Sequence, residues 1–290
     1  MKVESPTSLL VFLLEKSAAA TKTAAKQLVR QGRVQVDNLP ATNWEQPLKK
    51  GQTVTVSRRS SLLPAIRRQA KNTSFPLVYE DKYLVAAVKP AGMLALPSKE
   101  NKSADFYSLM RLQLSSRKEN PTDLHYVHGL DGPASGIIVF AKNETTKNTL
   151  RLSWNKAVRR YALLVQGVID PPQGTIAESL DARQKDSKKK RSSEILPTTR
   201  YKLLKSFETH SLVEAEPFFE QKMQLRKHFA HCQHPILGDR RHGAKLNPLG
   251  RLAVHLFHIT LVHPATKEPV KITAPIPKEF TQGGKSGTKK

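Results

Sequence analysis

The residues predict an α+β chain: a small unit of two helices and short strands, then a larger domain built on a mostly antiparallel sheet. Length sets the frame, because 290 residues suffice for a small and a medium domain with a sizeable core. Patterning supplies the class: beyond Pro76 strand-like runs outnumber helical ones and do not alternate with them as βαβ units. Composition agrees, since 38% hydrophobic and 25% charged residues suit a globular chain rather than a disordered one.

The first sixty residues read as one unit. Leu9, Leu10, Phe12, Leu13 and Leu14 form an apolar helical stretch that Ala18-Ala19-Ala20 extends or ends. Thr21 caps a second helix whose Ala24, Ala25, Leu28 and Val29 share a face, and Gly32 suits its C-terminal cap. Val34-Gln35-Val36 alternates as a strand, Asp37-Asn38 turns, and Val54-Thr55-Val56 pairs back. Ser57–Ser74, with Arg58-Arg59 and Arg67-Arg68, reads as a basic linker, and the boundaries drawn are 1–60, a linker over 61–75 and a main domain over 76–280.

In that main domain the strand-like runs are Leu77–Glu80, Tyr83–Val88, Gly136–Ala141, Tyr161–Val168, Arg200–Leu204, Leu212–Ala215, Val254–Val262 and Val270–Thr273. Helices are expected at Asp105–Leu114, Asn143–Ala157 and Lys222–Cys232. Gln184–Ser193, carrying Lys188-Lys189-Lys190-Arg191, reads as an exposed basic loop, and Thr281–Lys290 as a disordered tail. No internal repeat is present.

Charge narrows the function. Lys and Arg number 48 against 24 Asp and Glu, a formal +24, which favours a polyanionic partner through counterion release. A membrane partner would require an amphipathic anchor or lipidation signal, and neither is found. The apolar run Leu9–Leu14 is too short for a signal-peptide core and follows Glu4, so no signal peptide is expected. Cys232 is the single cysteine, which excludes an internal disulfide framework and points to a reducing compartment. The expected class is a cytoplasmic, nucleic-acid-directed protein.

Two apparent motifs carry little. Gly284-Lys285-Ser286 lacks both the first glycine of a phosphate-binding loop, whose place is Glu279, and room for a following helix. His228, His231, Cys232, His234 and His242 crowd together, but without a cysteine pair or second ligand cluster no metal is expected.

An ordered series of motifs is more informative. Glu80-Asp81 leads into a strand ending Lys89-Pro90-Ala91-Gly92. Then come His128-Gly129-Leu130-Asp131-Gly132-Pro133-Ala134-Ser135-Gly136, Arg159-Arg160-Tyr161, Gln224-Leu225-Arg226-Lys227-His228 and His234-Pro235-Ile236-Leu237-Gly238-Asp239. Arg251-Leu252-Ala253-Val254-His255, His263-Pro264 and Ala274-Pro275-Ile276-Pro277 close it. Taken alone, Asp131 before Gly-Pro is a turn residue. As a set, the series resembles the RluA family of RNA pseudouridine synthases over roughly residues 76–280, and the first sixty residues resemble the S4 RNA-binding domain that many members carry in front.

The resemblance implies a catalytic domain with a long bent mixed β-sheet flanked by helices and loops, and a central basic cleft. It implies isomerisation of uridine to pseudouridine in structured RNA, without cofactor or metal. Asp131 is the implied catalytic carboxylate, attacking the anomeric carbon or taking the adjacent ribose proton; Arg226 is its ion-pair partner, and Tyr161 packs against the everted base and assists proton removal. Leu225, His128 and Leu130 are expected to line the pocket. Everting a base costs a few kcal/mol, so phosphate contacts must compensate. The residues expected to make them are Lys22, Lys26, Arg30 and Arg33 in front, and Lys89, Lys222, Lys227, Arg240 and Arg241 in the main domain.

The chain also departs from the family pattern. Gly129 stands where the family has an arginine that helps hold the everted nucleotide, Ala134 replaces a threonine, and Phe219-Glu220-Gln221-Lys222-Met223 replaces Thr-Gly-Arg and the residues before Gln224. Two readings follow: an active enzyme on an altered substrate, with Lys222, Lys227, Arg240 and Arg241 as substitutes, or a catalytically decayed RNA-binding relative. The expected partner is RNA, ribosomal of the large subunit ahead of tRNA, with no DNA partner and the protein a monomer.

Overall fold

The computed structural model describes residues 1–30, 33–37, 39–41, 44–56, 74–97, 105–115, 123–178, 196–218 and 221–283. Gly32, most of the linker over 61–75, Phe219, Glu220, the Gln184–Ser193 segment and the Gly284-Lys285-Ser286 tail lie outside them. Two compact units divide the chain, one drawn from Met1–Ser74 with Pro97–Ala104, the other from Phe75–Leu96 with Asp105–Lys290.

In the first unit, β1 (Thr7–Ser8) pairs antiparallel with β4 (Pro47–Leu48). Helix α1 (Leu9–Glu15) starts where Ser8 Oγ accepts from the Val11 N–H, and ends at Glu15 because Ser17 turns the chain with φ 52°. The alanine run therefore does not extend it. Thr21 Oγ1 accepts from the Ala24 N–H and caps α2 (Lys22–Arg30) as expected. β2 (Val34–Val36) lies between β3 (Leu39–Pro40) and β5 (Val54–Val56), with Val34 opposite Val56. Leu9, Phe12, Leu13, Ala25, Val29, Val34, Leu48 and Val54 form its core. Burying Ala25 and Val29 turns Lys22 to solvent and leaves Lys26 half-buried, its Nζ 5.3 Å from the Trp44 ring centre.

The second unit is organised by one ten-stranded sheet. Its strands are β6 (Leu77–Glu80), β7 (Leu84–Lys89), β8 (His125–Tyr126), β9 (Ser135–Ala141), β10 (Val158–Gln166), β11 (Gln173–Ala177), β12 (Thr198–Ser206), β13 (His210–Phe218), β14 (Val254–Val262) and β15 (Pro269–Thr273). The main path runs β11-β12-β13-β10-β14-β9-β7-β6, with β15 added to β14 and β8 to β9. Every pairing is antiparallel except β14 with β9. Helices α3 (Phe106–Ser115), α4 (Glu144–Ser153), α5 (Gln224–His231) and α6 (Lys278–Thr281) complete it. The predicted Asn143–Ala157 helix is shorter, because α4 gives way to a 3-10 turn over Trp154–Lys156. β11 was not predicted: Gln173-Gly174-Thr175-Ile176-Ala177 lacks apolar alternation, and pairing with β12 makes it a strand.

The parallel contact of β9 with β14 is only two residues long, Ser135 opposite His255 and Gly136 opposite Leu256. Beyond it the two strands part, β15 taking the edge of β14 and β8 that of β9. Gly136 makes this approach possible. At φ 131°, a Cβ there would stand well inside contact distance of the Leu256 backbone. Gly136→Ala is therefore expected to destabilise the domain by about 3 kcal/mol or more, through overpacking plus backbone strain, as read from the midpoint of urea unfolding.

Candidate active site

Asp131 sits in the loop between β8 and β9, half-exposed, in a turn closed by the Ala134 N–H donating to its carbonyl. Lys89 at the end of β7 secures that loop. Its Nζ donates to the carbonyls of Pro90 (2.9 Å), Met93 (2.8 Å), Gly132 (3.0 Å) and Ala134 (2.6 Å), and the residue is 0% exposed. The expectation that Lys89 contacts RNA is thus corrected: an ammonium enclosed by carbonyls presents no charge to a phosphate outside. Burial lowers Lys89 to about 8, with Asp131 opposing and Arg251 reinforcing the change.

Replacing this lysine by methionine leaves those carbonyls without their donor. At about 1–3 kcal/mol per unpaired buried polar group, Lys89→Met is expected to cost at least about 3 kcal/mol. The pH dependence carries a sign. The unfolded chain holds the proton up to its ordinary value of 10.5 and the folded one only to about 8, so wild-type stability rises relative to the variant across that interval. Urea unfolding of both proteins through this range checks it.

Arg226 reaches Asp131 from α5. The head of this helix is pinned by Gln224, whose Nε2 donates to Thr198 O (2.9 Å) and Thr199 Oγ1 (3.2 Å), while Met223 before it turns the chain at φ 63°. Leu225 and Phe229 are buried at i, i+4, and Arg226 follows toward the Asp131 loop. Its Nη1 lies 3.3 Å from Asp131 Oδ2. Its Nε and Nη2 fork onto Asp239, each at 2.7 Å, and His242 Nδ1 lies 2.9 Å from the same carboxylate. The Asp239 side chain is 0% exposed and that of Asp131 39%. Burial alone would raise Asp239, but Arg226 and His242 overcome it and hold the carboxyl below its ordinary range; Arg226 is raised, first by its bond to Asp239. The arginine is anchored on its buried side and presents its remaining nitrogen to the carboxylate that solvent and substrate can reach.

Tyr161 comes from β10, where the pairing with β14 shifts register between Arg160 and Tyr161. Such an irregularity re-aims side chains. Alternation along the strand puts Arg159 and Tyr161 on the pocket face, both buried, and Arg160 on the other face, 3.0 Å from Glu216. His128 forms a wall. Its Nε2 accepts from the Val139 N–H at 3.0 Å, and its ring stacks on Trp154 with centres 4.3 Å apart. Burial lowers His128 to about 3, which suits an acceptor rather than a charged contact.

These side chains enclose a pocket of about 440 Å³, within the range of sites for small molecules or single nucleosides. The sequence-predicted Asp131, Arg226, Tyr161, Leu225, His128 and Leu130 all line it, as does Lys222. Sequence reasoning missed Trp154, Arg159 and Asp239. Asp239 lay in the quoted His-Pro-Ile-Leu-Gly-Asp segment, and Arg159 beside Tyr161 in the quoted strand, but Trp154 carried no signal. Gly129 is exposed, and an added Cβ would meet only Tyr126 Oη at 3.8 Å. The histidines near α5 are held separately: His228 Nδ1 lies 2.9 Å from Thr199 Oγ1, His231 Nε2 3.2 Å from Glu178, and His234 Nδ1 2.9 Å from Gln166 O. No described helix is long and apolar enough to cross a membrane.

Comparison with known proteins places this chain in a defined class of RNA-modifying enzyme. Residues 83–231 match the family described as RNA pseudouridylate synthase, and residues 8–54 match the S4 domain. The chain belongs to the RNA pseudouridylate synthase family and carries an S4 domain in front. It is 28% identical to the ribosomal large subunit pseudouridine synthase D of Xylella fastidiosa, over 76% of this chain and 72% of that protein. It is 31% identical to the tRNA pseudouridine synthase C of Vibrio vulnificus, over 71% of this chain and 92% of that one. The structure of human RNA pseudouridylate synthase domain containing 4 shares the fold, with TM-score 0.60 at 22% identity, covering 74% of this chain and 94% of its own. The RluA-type resemblance and the α+β architecture drawn from the motifs both hold.

Proposed function

We propose that this protein isomerises a uridine of large-subunit ribosomal RNA to pseudouridine, with residues 1–60 as the RNA-binding domain and 76–280 as the catalytic domain. Asp131 acts at the ribose, Arg226 positions it, and Tyr161 lies against the everted base. The N1–C1′ bond breaks, a C5–C1′ bond forms, and the proton of C5 leaves to solvent while N1 gains one, so no cofactor is needed to balance the reaction. The observation that carries this reading is the partly exposed Asp131 carboxylate bonded to an arginine that is itself anchored by a buried acid, at the wall of a nucleoside-sized pocket.

The +24 charge, the S4 domain and the similarity to a large-subunit enzyme support ribosomal RNA. The higher identity to a tRNA enzyme supports tRNA as the second reading. Lys22, Lys26, Arg30 and Arg33 are the proposed RNA contacts of the S4 domain. Lys222 and Lys227, with Arg240 and Arg241 of the 3-10 turn Arg240–His242, serve the catalytic domain. The protein acts as a monomer in the cytoplasm on RNA rather than DNA, and competition with duplex DNA at physiological salt checks the latter.

Pseudouridine mapping of total RNA from cells with and without the gene tests the target. Loss of one or a few sites in large-subunit RNA is expected. Loss confined to tRNA selects the second reading, and an unchanged map together with no tritium release from 5-tritiated RNA overturns both.

A further inference from the structure

Beside the nucleoside pocket lies a second hollow of about 370 Å³, sharing Asp131, Lys222, Met223 and Arg226 with it. Lys227 and Arg241 complete its cationic wall, and Asp131 is the sole carboxylate among the described residues lining it. Arg226 already serves Asp239 and Asp131, so the positive charge open to a ligand comes first from Lys222 and Arg241, with Lys227 beside them in the wall. Lys222 and Arg241 are exposed and Lys227 half-buried, so the first two can close on a ligand from solvent while the third lies deeper.

We propose that this hollow is a phosphodiester site that holds one backbone phosphate adjoining the target uridine. The inference rests on the isomerase reading and extends it to a named clamp. The geometry follows from the covalent structure of a nucleotide: if the base fills the first pocket and the ribose lies at Asp131, a phosphate on that ribose must fall next to Asp131, outside the base pocket. The second hollow occupies that position and carries the opposite charge. The clamp opposes the cost of eversion with an electrostatic contact that forms only when the ribose is seated. It also explains how the site grips a nucleotide with no side chain at Gly129.

The test is a charge-deletion cycle with the full-length protein. The probes are the ribonucleotide AAUAA and two versions with a neutral methylphosphonate linkage on the 5′ or the 3′ side of the uridine. One of the neutral versions is expected to bind the wild type about tenfold more weakly than the natural oligonucleotide. In Lys227→Gln/Arg241→Gln, and in Arg241→Gln alone to a smaller degree, the natural oligonucleotide binds more weakly and the penalty for the neutral linkage shrinks toward zero. Losing one phosphate contact should also flatten the dependence of log affinity on log salt by about 0.7. Equal binding of all three oligonucleotides by the wild type, or an undiminished penalty in the double variant, overturns the proposal. A site for free inorganic phosphate gives the former result, since its occupancy ignores linkage charge. Tritium release separates the two claims: linkage coupling without release sinks the isomerase reading alone, and release without coupling sinks the clamp alone.

Discussion

Asp131→Asn is expected to abolish tritium release from 5-tritiated RNA, with a loss of roughly 10⁴-fold or more, the scale on which enzymes lose a group that acts directly on the reacting atoms. The amide keeps the shape and can still accept from Arg226, but it supplies neither a nucleophilic oxygen nor a base. RNA affinity should stay the same or rise slightly, because removing a negative charge from the pocket lowers its repulsion of the phosphates. Filter binding and turnover measured on one preparation separate the two effects. Turnover above about a hundredth of wild type would mean that another group performs the chemistry at the ribose. Affinity falling in step with turnover would reduce Asp131 to a structural turn residue.

Asp239→Asn should act on the same chemistry without touching substrate. The Asp239 carboxylate is buried and receives two N–H bonds from Arg226, so neutralising it leaves a partly buried guanidinium short of half its partner. Breaking a buried pair from one side costs about 3–5 kcal/mol; the side chain of Arg226 is 15% exposed and retains Asp131, which places the expected loss near the lower end. Once Arg226 can reorient, Asp131 loses its positioning partner. The expected result is a fall in kcat of about a hundredfold with little change in KM, the pattern of an interaction needed in the transition state rather than for binding. A purely structural role would lower the amount of active enzyme and leave the kcat of the folded fraction intact, so active-site titration distinguishes them. The pH dependence has a definite sign. Asp239 is held below its ordinary 3.8, so its contribution to stability is complete above that value and is lost as pH falls beneath it; the difference between wild type and Asp239→Asn in urea unfolding should shrink on acidification.

The pocket residues were legible as members of an ordered set of motifs, and the family resemblance of that set singled them out. Local pattern alone placed them only on elements: Asp131 precedes Gly-Pro and reads by itself as a turn residue, Tyr161 opens a strand, and Leu225-Arg226 heads an amphipathic helix. Asp239 and Trp154 were not legible as site residues. Their importance comes from what the chain brings alongside: a guanidinium 13 positions upstream of Asp239 and an imidazole from the neighbouring loop stacked on Trp154. Lys89 shows the reverse failure. A lysine before Pro-Ala-Gly in a basic chain reads as a surface charge, because sequence reports its chemistry and not the four carbonyls that surround it. Strand lengths show the same division. Val254–Val262 was legible from its own residues, whereas β11 owes its conformation to pairing with β12.

By itself, then, the sequence determined most of the longer strands and helices, the basic charge that favours a polyanionic partner and the ordered motifs that carry the family resemblance, since these depend on side-chain chemistry and on periodicity over a few residues. Tertiary structure alone decided which acid anchors Arg226, which lysine is sealed inside and which basic residues gather beside Asp131. Those outcomes depend on burial and on distances between groups far apart in the chain, which the fold sets when the ten-stranded sheet lays β9 against β14 at Gly136.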